Sequence, residues 1–242
     1  MVAKKNREGE EHLNKDGTRM KIIKYNNYDD IVVEFQDEYK GKTHTKYCHF
    51  IKGKVKNPYK KSVFGVGYIG EGKYSYSENK LPYSYWRHML QRCYVKREKY
   101  KTYFDCQVCD EWLNFQNFAK WFYENYYEIE GETVELDKDF LQKGSKVYSP
   151  KTCIFIPHSI NMFATERGNN YEVGKSGKYY FYTSEFGRKI HLGTFATIEE
   201  GERVLKKRRN DYLKTLVLKY KDVLPNHVIK GLYEGVSEWQ GD

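Results

Sequence analysis

The spacing of the apolar residues changes along this chain, and that change constrains the fold more than any other feature. Residues 13–58 alternate with the period of two that is typical of strands, in the segments MKIIKY, DIVVEF and THTKYCHFI. Residues 82–127 follow the helical period instead, which predicts a pair of helices with one apolar face each. The first face comprises Trp86, Met89, Leu90 and Cys93, and the second comprises Trp112, Phe115, Phe118, Ala119 and Phe122. After Gly131 the segments TVELDKDFL and KVYSPKTCIFIP are short and extended, so the sequence predicts an α+β protein.

These patterns divide the chain of 242 residues into five predicted parts. They are a small β module over residues 1–62, an irregular glycine-containing linker over 63–81, a central module over 82–166, a C-terminal sheet and helix over 168–222, and a tail over 223–242. The central module is expected to begin with the helix pair and to continue as strand, turn, strand and a short helix starting near Ser159.

Charge is also sorted along the chain. Residues 1–61 contain 15 Lys and Arg against 9 Asp and Glu, residues 105–140 contain 2 against 10, and residues 201–221 contain 8 against 2. The net charge of +9 produces a positive field that attracts nucleic acid. An acidic centre between basic ends is typical of a metal-dependent phosphodiesterase, because carboxylates hold a cation against the phosphate.

Composition also bears on location and on the cysteines. No apolar run approaches the roughly 18 to 20 residues of a membrane span, and the N-terminal segment MVAKKNREGEEH lacks the apolar centre of a signal peptide. We therefore expect a cytoplasmic protein that is neither secreted nor inserted in a membrane. The five cysteines lack the regular spacing of secreted disulfide-rich domains, which indicates reduced thiols. The alternative is a zinc site formed by the CxxC pair Cys106 and Cys109 with Cys93 and Cys153.

The order strand, turn, strand, helix in residues 83–165 resembles the ββα-metal core of HNH endonucleases. The phrases LDKDFLQKGSKVYSP and CIFIPHSIN are similar to segments of phage homing endonucleases. The resemblance implies that Asp137, Asp139 and Asn161 bind Mg²⁺ or Mn²⁺. It further implies that Asp139 stands where the family has its general-base histidine, with Asn161 and His158 as the other catalytic residues.

Two observations from the residues themselves bear on this site. Asp137 and Asp139 lie two positions apart, so in a regular strand their side chains lie on the same side and can share one ion. A carboxylate is deprotonated at neutral pH and can accept a proton from water, although it lacks the basicity of imidazole. The alternative is that both aspartates end the strand as turn formers and that Asn161 has a capping or packing role.

The segment GKSGKYYFYTSEFGRKIHLGTFATIEEGERVLKKRRNDYLK resembles the DNA-binding domain of plant ethylene-response factors, which also occurs in phage homing endonucleases. This resemblance implies a three-stranded antiparallel sheet packed on one helix, with the sheet inserted in the major groove of DNA. The residues that match the family's DNA contacts are Lys175, Lys178, Tyr180, Tyr182, Arg188 and Lys189. Lys60 and Lys61 are further candidates for phosphate contacts.

Local signals predict the elements of this C-terminal part. Residues 178–183 and 188–195 are predicted strands around the turn SEFG, and Thr197 is the predicted N-cap of a helix from Ile198 to about Lys219. The residues expected on its buried face are Val204, Leu205, Tyr212 and Leu216. Gly201 is expected to weaken the helix by about 1 kcal/mol. The basic run 206–209 is interpreted as a solvated helix face.

Together these features predict a sequence-selective DNA-binding protein that acts as a metal-dependent homing endonuclease and nicks or cleaves duplex DNA. The resemblance to phage proteins places it in the cytoplasm of an infected bacterial cell. Two alternatives remain at this stage. The first is a DNA-binding regulator that keeps the same fold without catalysis, and the second is a basic protein that binds RNA.

Overall fold

A computed structural model of the chain describes residues 6–139, 144–164, 170–226, 228–230 and 232. The chain forms two compact units. The first consists of Met1–Glu124 with Lys146–Ser149, and the second consists of Asn125–Ser145 with Pro150–Asp242. Both units contain small sheets and helices, in agreement with the predicted α+β class. Within the described residues, no helix combines the length and the apolar character needed to cross a membrane.

The first unit begins with a four-stranded antiparallel sheet whose strands are neighbours in sequence order. The strands are β1 (Glu11–Leu13), β2 (Arg19–Asn27), β3 (Asp30–Phe35) and β4 (Lys42–Thr45). Strand alternation buries one face, on which Met20 and Ile22 of β2 pair with Phe35 and Val33 of β3. The small N-terminal β module is therefore present as predicted.

The segment THTKYCHFI, predicted as one strand, is a strand followed by a helix. β4 ends at Thr45, and helix α1 (Tyr47–Ile51) follows it and carries Cys48. Tyr47 and Phe50 lie three residues apart, so they share one helical face and pack on the core of the sheet. Phe50 is 1% exposed. This tertiary contact outweighs the strand propensity of the segment.

The predicted helix pair follows in the same unit. The elements are α2 (Lys80–Tyr94), a 3₁₀ helix (Glu98–Tyr103), β5 (Gln107–Val108), α3 (Asp110–Leu113) and α4 (Phe115–Asn125). Both predicted apolar faces are buried, and the indole nitrogen of Trp86 donates a hydrogen bond of 2.6 Å to the carbonyl of Trp112. The second predicted helix is interrupted at Asn114, whose extended backbone separates α3 from α4. Its side-chain oxygen accepts a hydrogen bond from the backbone of Gln116, which starts α4 anew.

Residues 63–81, predicted as an irregular linker, are irregular but pack tightly in the first unit. The backbone of Tyr68 bonds to that of Leu113 and of Phe115, at 3.0 and 2.9 Å. Gly67 lies so close to α2 that an added Cβ would be 2.5 Å from Leu90. Gly67, Gly70 and Gly72 therefore permit close packing rather than a free connection between modules.

The described part of the second unit contains two small antiparallel sheets and the helices that follow them in sequence. Its elements are β6 (Val134–Asp137), β8 (Ile154–Pro157), α5 (His158–Ala164), β9 (Tyr171–Val173), β10 (Tyr179–Glu185), β11 (Arg188–Phe195) and α6 (Ile198–Tyr220). The intervening strand β7 (Val147–Tyr148) pairs with β5 in the first unit. β6 and β8 are antiparallel and lead directly into α5, while β9, β10 and β11 form an antiparallel sheet with β10 in the middle. Both predicted arrangements of strands and helix are therefore present.

Helix α6 forms a core with each of these sheets. Its first half packs on the C-terminal sheet, where Leu205 and the strand residue Phe181 are 8% and 1% exposed. Its second half joins β8 and α5 in one apolar core, which includes Leu216 and Ile160. Val204 is 40% exposed, so its predicted burial is wrong. At this turn of the helix, the side chain that faces the core is that of the next residue, Leu205.

The predicted C-terminal tail is, in its described part, an element of the core of the second unit. Leu224, Val228 and Leu232 are 5%, 0% and 0% exposed and belong to the same core as α5 and α6. Their spacing of four residues is helical, and it places the three side chains on one face. The prediction of a separate tail from residue 223 onward is therefore wrong for these residues.

Gly201 has a packing role that the sequence did not reveal. An added Cβ would lie within 2.5 Å of three atoms of the buried Phe181 ring. The glycine thus allows α6 to approach β10 closely, and this contact offsets the weaker helix propensity of glycine.

Candidate functional site

Helix α6 covers one face of the C-terminal sheet and leaves the other face of the sheet to the alternate residues of its strands. Phe181, Thr183 and Glu185 of β10 are buried toward α6, so the alternate residues of β10 and their cross-strand partners form the other side. We call this side the outer face. It consists of Glu172, Tyr180, Tyr182, Ser184, Lys189, His191 and Thr194.

The side chains at the centre of the outer face hold one another in place. The ammonium of Lys189 lies 3.7 Å from the ring centroid of Tyr182 and 2.9 Å from a carboxylate oxygen of Glu172. The ring of His191 lies 5.4 Å from that of Tyr182. These contacts restrict the rotamers of exposed side chains, which lowers the entropy lost when they bind a partner.

Tyr180 owes its position to a glycine. A Cβ at Gly174 would overlap the Tyr180 ring, so only glycine allows the ring to lie across the turn before β10. The turn closes with a bond of 2.9 Å from the Gly174 amide to the Lys178 carbonyl, and Gly177 supplies a positive φ of 74°. Lys175 lies in this turn. Lys178 directly precedes β10, on the side of Tyr180 by strand alternation.

Arg188 is the predicted DNA contact that does not lie on the outer face. It pairs with Glu185 in the strand register, which places it on the α6 side at the end of the sheet. Glu185 also accepts two hydrogen bonds of 2.6 Å from Arg208, which raise the pKa of that guanidinium. Arg209 donates a bond of 2.8 Å to the carbonyl of Phe163. Lys206, Lys207 and Arg208 are exposed, as predicted for a solvated face, whereas Arg209 is half-buried.

Lys60 and Lys61 lie in the first unit and are both exposed. Lys60 forms an ion pair with Asp16. Because surface ion pairs are weak, this contact leaves Lys60 available to a phosphate that competes for it.

A second polar group lies on the antiparallel pair β6 and β8 with α5. Glu135 of β6 faces the start of α5, where its two carboxylate oxygens bind different residues. One lies 2.9 Å from Nδ1 of His158, and the other accepts a hydrogen bond of 2.5 Å from the amide nitrogen of Asn161. The His158 side chain is 50% exposed. His158 and Asn161, both predicted catalytic residues, are thus brought together, and Glu135 is the partner that sequence reasoning missed.

The two predicted metal-binding aspartates are engaged differently. β6 ends at Asp137, whose carboxylate accepts a bond of 2.9 Å from the backbone amide of Asp139. Both carboxylate oxygens of Asp139 lie 2.8 Å from the ammonium of Lys138, which is buried and also binds the carbonyl of Ser145. The alternation that was expected to align the aspartates stops at Asp137, and Asp139 is neutralised by Lys138. Asp137 and Asp139 thus contact different groups in the described residues, and a shared Mg²⁺ or Mn²⁺ ion at Asp137, Asp139 and Asn161 stays a prediction.

The four cysteines of the alternative zinc site, Cys93, Cys106, Cys109 and Cys153, all lie within the described residues. Among the residues that the structure describes, no group of three or more His, Cys, Asp or Glu side chains is arranged to hold a metal. Cys93 is buried on the apolar face of α2. Burial also raises the pKa of the Cys109 thiol. The five cysteines all lie within the described residues and form no disulfide with one another.

Comparison of the chain with models of protein families, with curated protein sequences and with solved structures finds no match.

Proposed function

We propose that this chain binds duplex DNA sequence-selectively through the outer face of its C-terminal sheet. The observation that carries the proposal is the preorganised group of Tyr182, Lys189, His191 and Glu172 on a sheet face that α6 leaves uncovered. The major groove, about 12 Å wide, admits a small antiparallel sheet, and its base edges present both donors and acceptors. Tyr182 and His191 can bond to base edges, and Lys189 can exchange Glu172 for a phosphate.

A pair of lysines offers a matched test of this proposal. Lys189 and Lys214 are exposed to 63% and 52%, and each has one acidic partner, but Lys214 lies on α6 rather than on the outer face. We expect Lys189→Ala to weaken duplex binding about five- to tenfold and to reduce the slope of log affinity against log salt by about one unit. Lys214→Ala is expected to leave both quantities unchanged. Equal effects of the two substitutions would contradict the assignment of the outer face.

The same binding assay distinguishes DNA from RNA as the partner. Lysine and tyrosine also suit single-stranded RNA, where aromatic rings stack on unpaired bases. We expect preference for a duplex selected from a random library, because the ammonium of Lys189 already occupies one face of the Tyr182 ring. If the protein binds single-stranded RNA more tightly than the duplex, and Tyr182→Ala weakens that binding, the partner is RNA and the DNA proposal is contradicted.

Phosphodiester cleavage is a second candidate function, favoured by the contact between Glu135 and His158. A carboxylate at Nδ1 orients an imidazole and selects the tautomer in which Nε2 accepts a proton, which is the arrangement of a general base. Asn161 holds the other oxygen of Glu135 and so fixes the carboxylate. The cluster and the outer face belong to one compact unit, since α6 packs against the C-terminal sheet and against α5.

Cleavage of supercoiled plasmid carrying a selected target, with Mg²⁺ or Mn²⁺ present, tests this second candidate. If His158 is the base, His158→Ala is expected to reduce nicking about a hundredfold with duplex affinity retained, and Asp139→Ala is expected to keep most activity. If Asp139→Ala abolishes nicking and His158→Ala retains it, the general base is Asp139. If the unsubstituted protein leaves the plasmid intact, cleavage is contradicted, and the DNA-binding regulator without catalysis becomes the supported function.

A further inference from the structure

The exposed side of α2 forms a cleft that none of the predicted sites includes. Lys80, Ser84, Arg87 and His88 follow one another at helical spacing, so they share the face opposite the buried Trp86 and Leu90. The cleft, of about 460 Å³, is completed by Tyr76 and Tyr83. We call it the α2 cleft.

The charges in the α2 cleft are all of one sign. Among the described residues that line it, none is an aspartate or a glutamate. Among the residues that the structure describes, Lys80 and Arg87 have no acidic partner within ion-pair distance, unlike Lys46 and Lys189. Burial, together with Arg92 and Arg87, lowers the pKa of His88. The cleft thus concentrates positive potential that nothing in its lining neutralises, and an anionic ligand would supply the missing charge.

Contacts with neighbouring aromatic rings restrict the motion of the side chains that line the cleft. The ring of Tyr83 contacts those of Trp86 and Phe115 in the core, at centroid distances of 5.6 and 5.4 Å. Tyr76 stands edge to face on Tyr83 at 4.8 Å and remains 60% exposed. The guanidinium of Arg87 lies 5.1 Å from the ring centroid of Phe64, which limits its motion. A fixed cation beside a fixed exposed ring is an arrangement that binds a phosphate together with a sugar or base.

We propose that the α2 cleft binds the phosphodiester backbone of DNA, with Lys80 and Arg87 on phosphate oxygens and Tyr76 against the adjoining nucleotide. Seven residues of helix separate the two cations, which is a rise of about 10 Å. One strand of a duplex advances only about 3.4 Å along the helix axis per nucleotide. The two side chains therefore contact different phosphates. This inference rests on the proposed function, since it adds a DNA contact in the first unit to that of the C-terminal sheet.

Substitutions that remove two charges from the cleft, compared with two from elsewhere in the same unit, test the inference. Lys80→Gln with Arg87→Gln is expected to reduce the salt slope for duplex binding by about two units and the affinity at low salt at least tenfold. The control, Lys120→Gln with Arg97→Gln, removes the same charges from exposed positions outside the cleft and is expected to change the affinity less than twofold. If the cleft pair and the control pair reduce duplex binding equally, the inference is overturned. If only Lys189→Ala reduces binding, the inference is also overturned, but the proposed function of the outer face is retained.

A local measurement on the full chain separates the inference from the proposed function. We expect the ring signals of His88 and Tyr76 to shift when (dT)₈ or a short duplex is added at low salt, and not in the Lys80→Gln, Arg87→Gln variant. A larger shift with (dT)₈ indicates a single strand as the ligand, and a larger shift with the duplex indicates paired DNA. Unchanged signals with both probes would overturn the inference, even if the C-terminal sheet binds DNA. Shifted signals without any effect of Lys189→Ala would support the cleft and contradict the outer face.

Discussion

Replacing Leu224 and Leu232 together by alanine is expected to lower the free energy of unfolding of the second unit by about 4 kcal/mol or more. Both side chains are buried, at 5% and 0% exposure, in the core that α6 shares with β8 and α5. Each truncation removes apolar contacts and leaves a cavity, which costs about 2 to 5 kcal/mol in well-packed cores. The result is expected as a lower urea midpoint and faster hydrogen exchange of the α6 amides.

Val223→Ala is the matched control for this prediction. Val223 precedes Leu224 directly but is 42% exposed, so its truncation is expected to change stability by about 0.5 kcal/mol or less. If the double leucine variant unfolds at the same urea concentration as Val223→Ala, residues 223–232 do not contribute to the core and the tail interpretation returns.

Gly201→Ala is expected to destabilise the second unit by about 3 kcal/mol, although alanine favours a helix over glycine by about 1 kcal/mol. The sign is reversed because the added methyl group would overlap the ring of Phe181, which is 1% exposed in the core. Urea denaturation measures the change. Glu202→Ala, at an exposed position of the same helical turn, is expected to be nearly neutral.

A second substitution tests the cause of this effect. Phe181→Leu removes ring atoms that the methyl group would meet, so Gly201→Ala is expected to cost less in that background than in the unsubstituted protein. The difference between the two backgrounds is the coupling energy of the contact. Additive effects of the two substitutions would mean that Gly201 does not owe its place to Phe181.

The elements predicted best are those with strong local signals. Thr197 caps α6 by accepting a hydrogen bond from the Glu200 amide, and the helix begins at Ile198 as predicted. The turn between β10 and β11 falls at Phe186 and Gly187, whose positive φ values match the predicted turn SEFG. The spacing of Leu224, Val228 and Leu232 was also a usable local signal, since it continues the apolar period of α6.

The site residues that sequence reasoning missed depend on tertiary register. Glu135 meets His158 because β6 pairs antiparallel with β8, which places Glu135 opposite Ile156, beside the start of α5. His191 faces Tyr182 only because the pairing of β10 with β11 shifts after Phe181 and leaves Leu192 as an extra residue. Neither the register nor the shift is encoded in the spacing of residues within one strand.

Photo-crosslinking from the outer face tests the central claim most directly. A photoreactive benzoylphenylalanine is placed at Tyr182 or, as the control, at Val204, which is 40% exposed on α6. Each protein is irradiated with a duplex selected for binding. The account predicts crosslinks to the duplex from position 182 and none from position 204. Crosslinks from position 204 alone, in a protein that binds the duplex with full affinity, would contradict it.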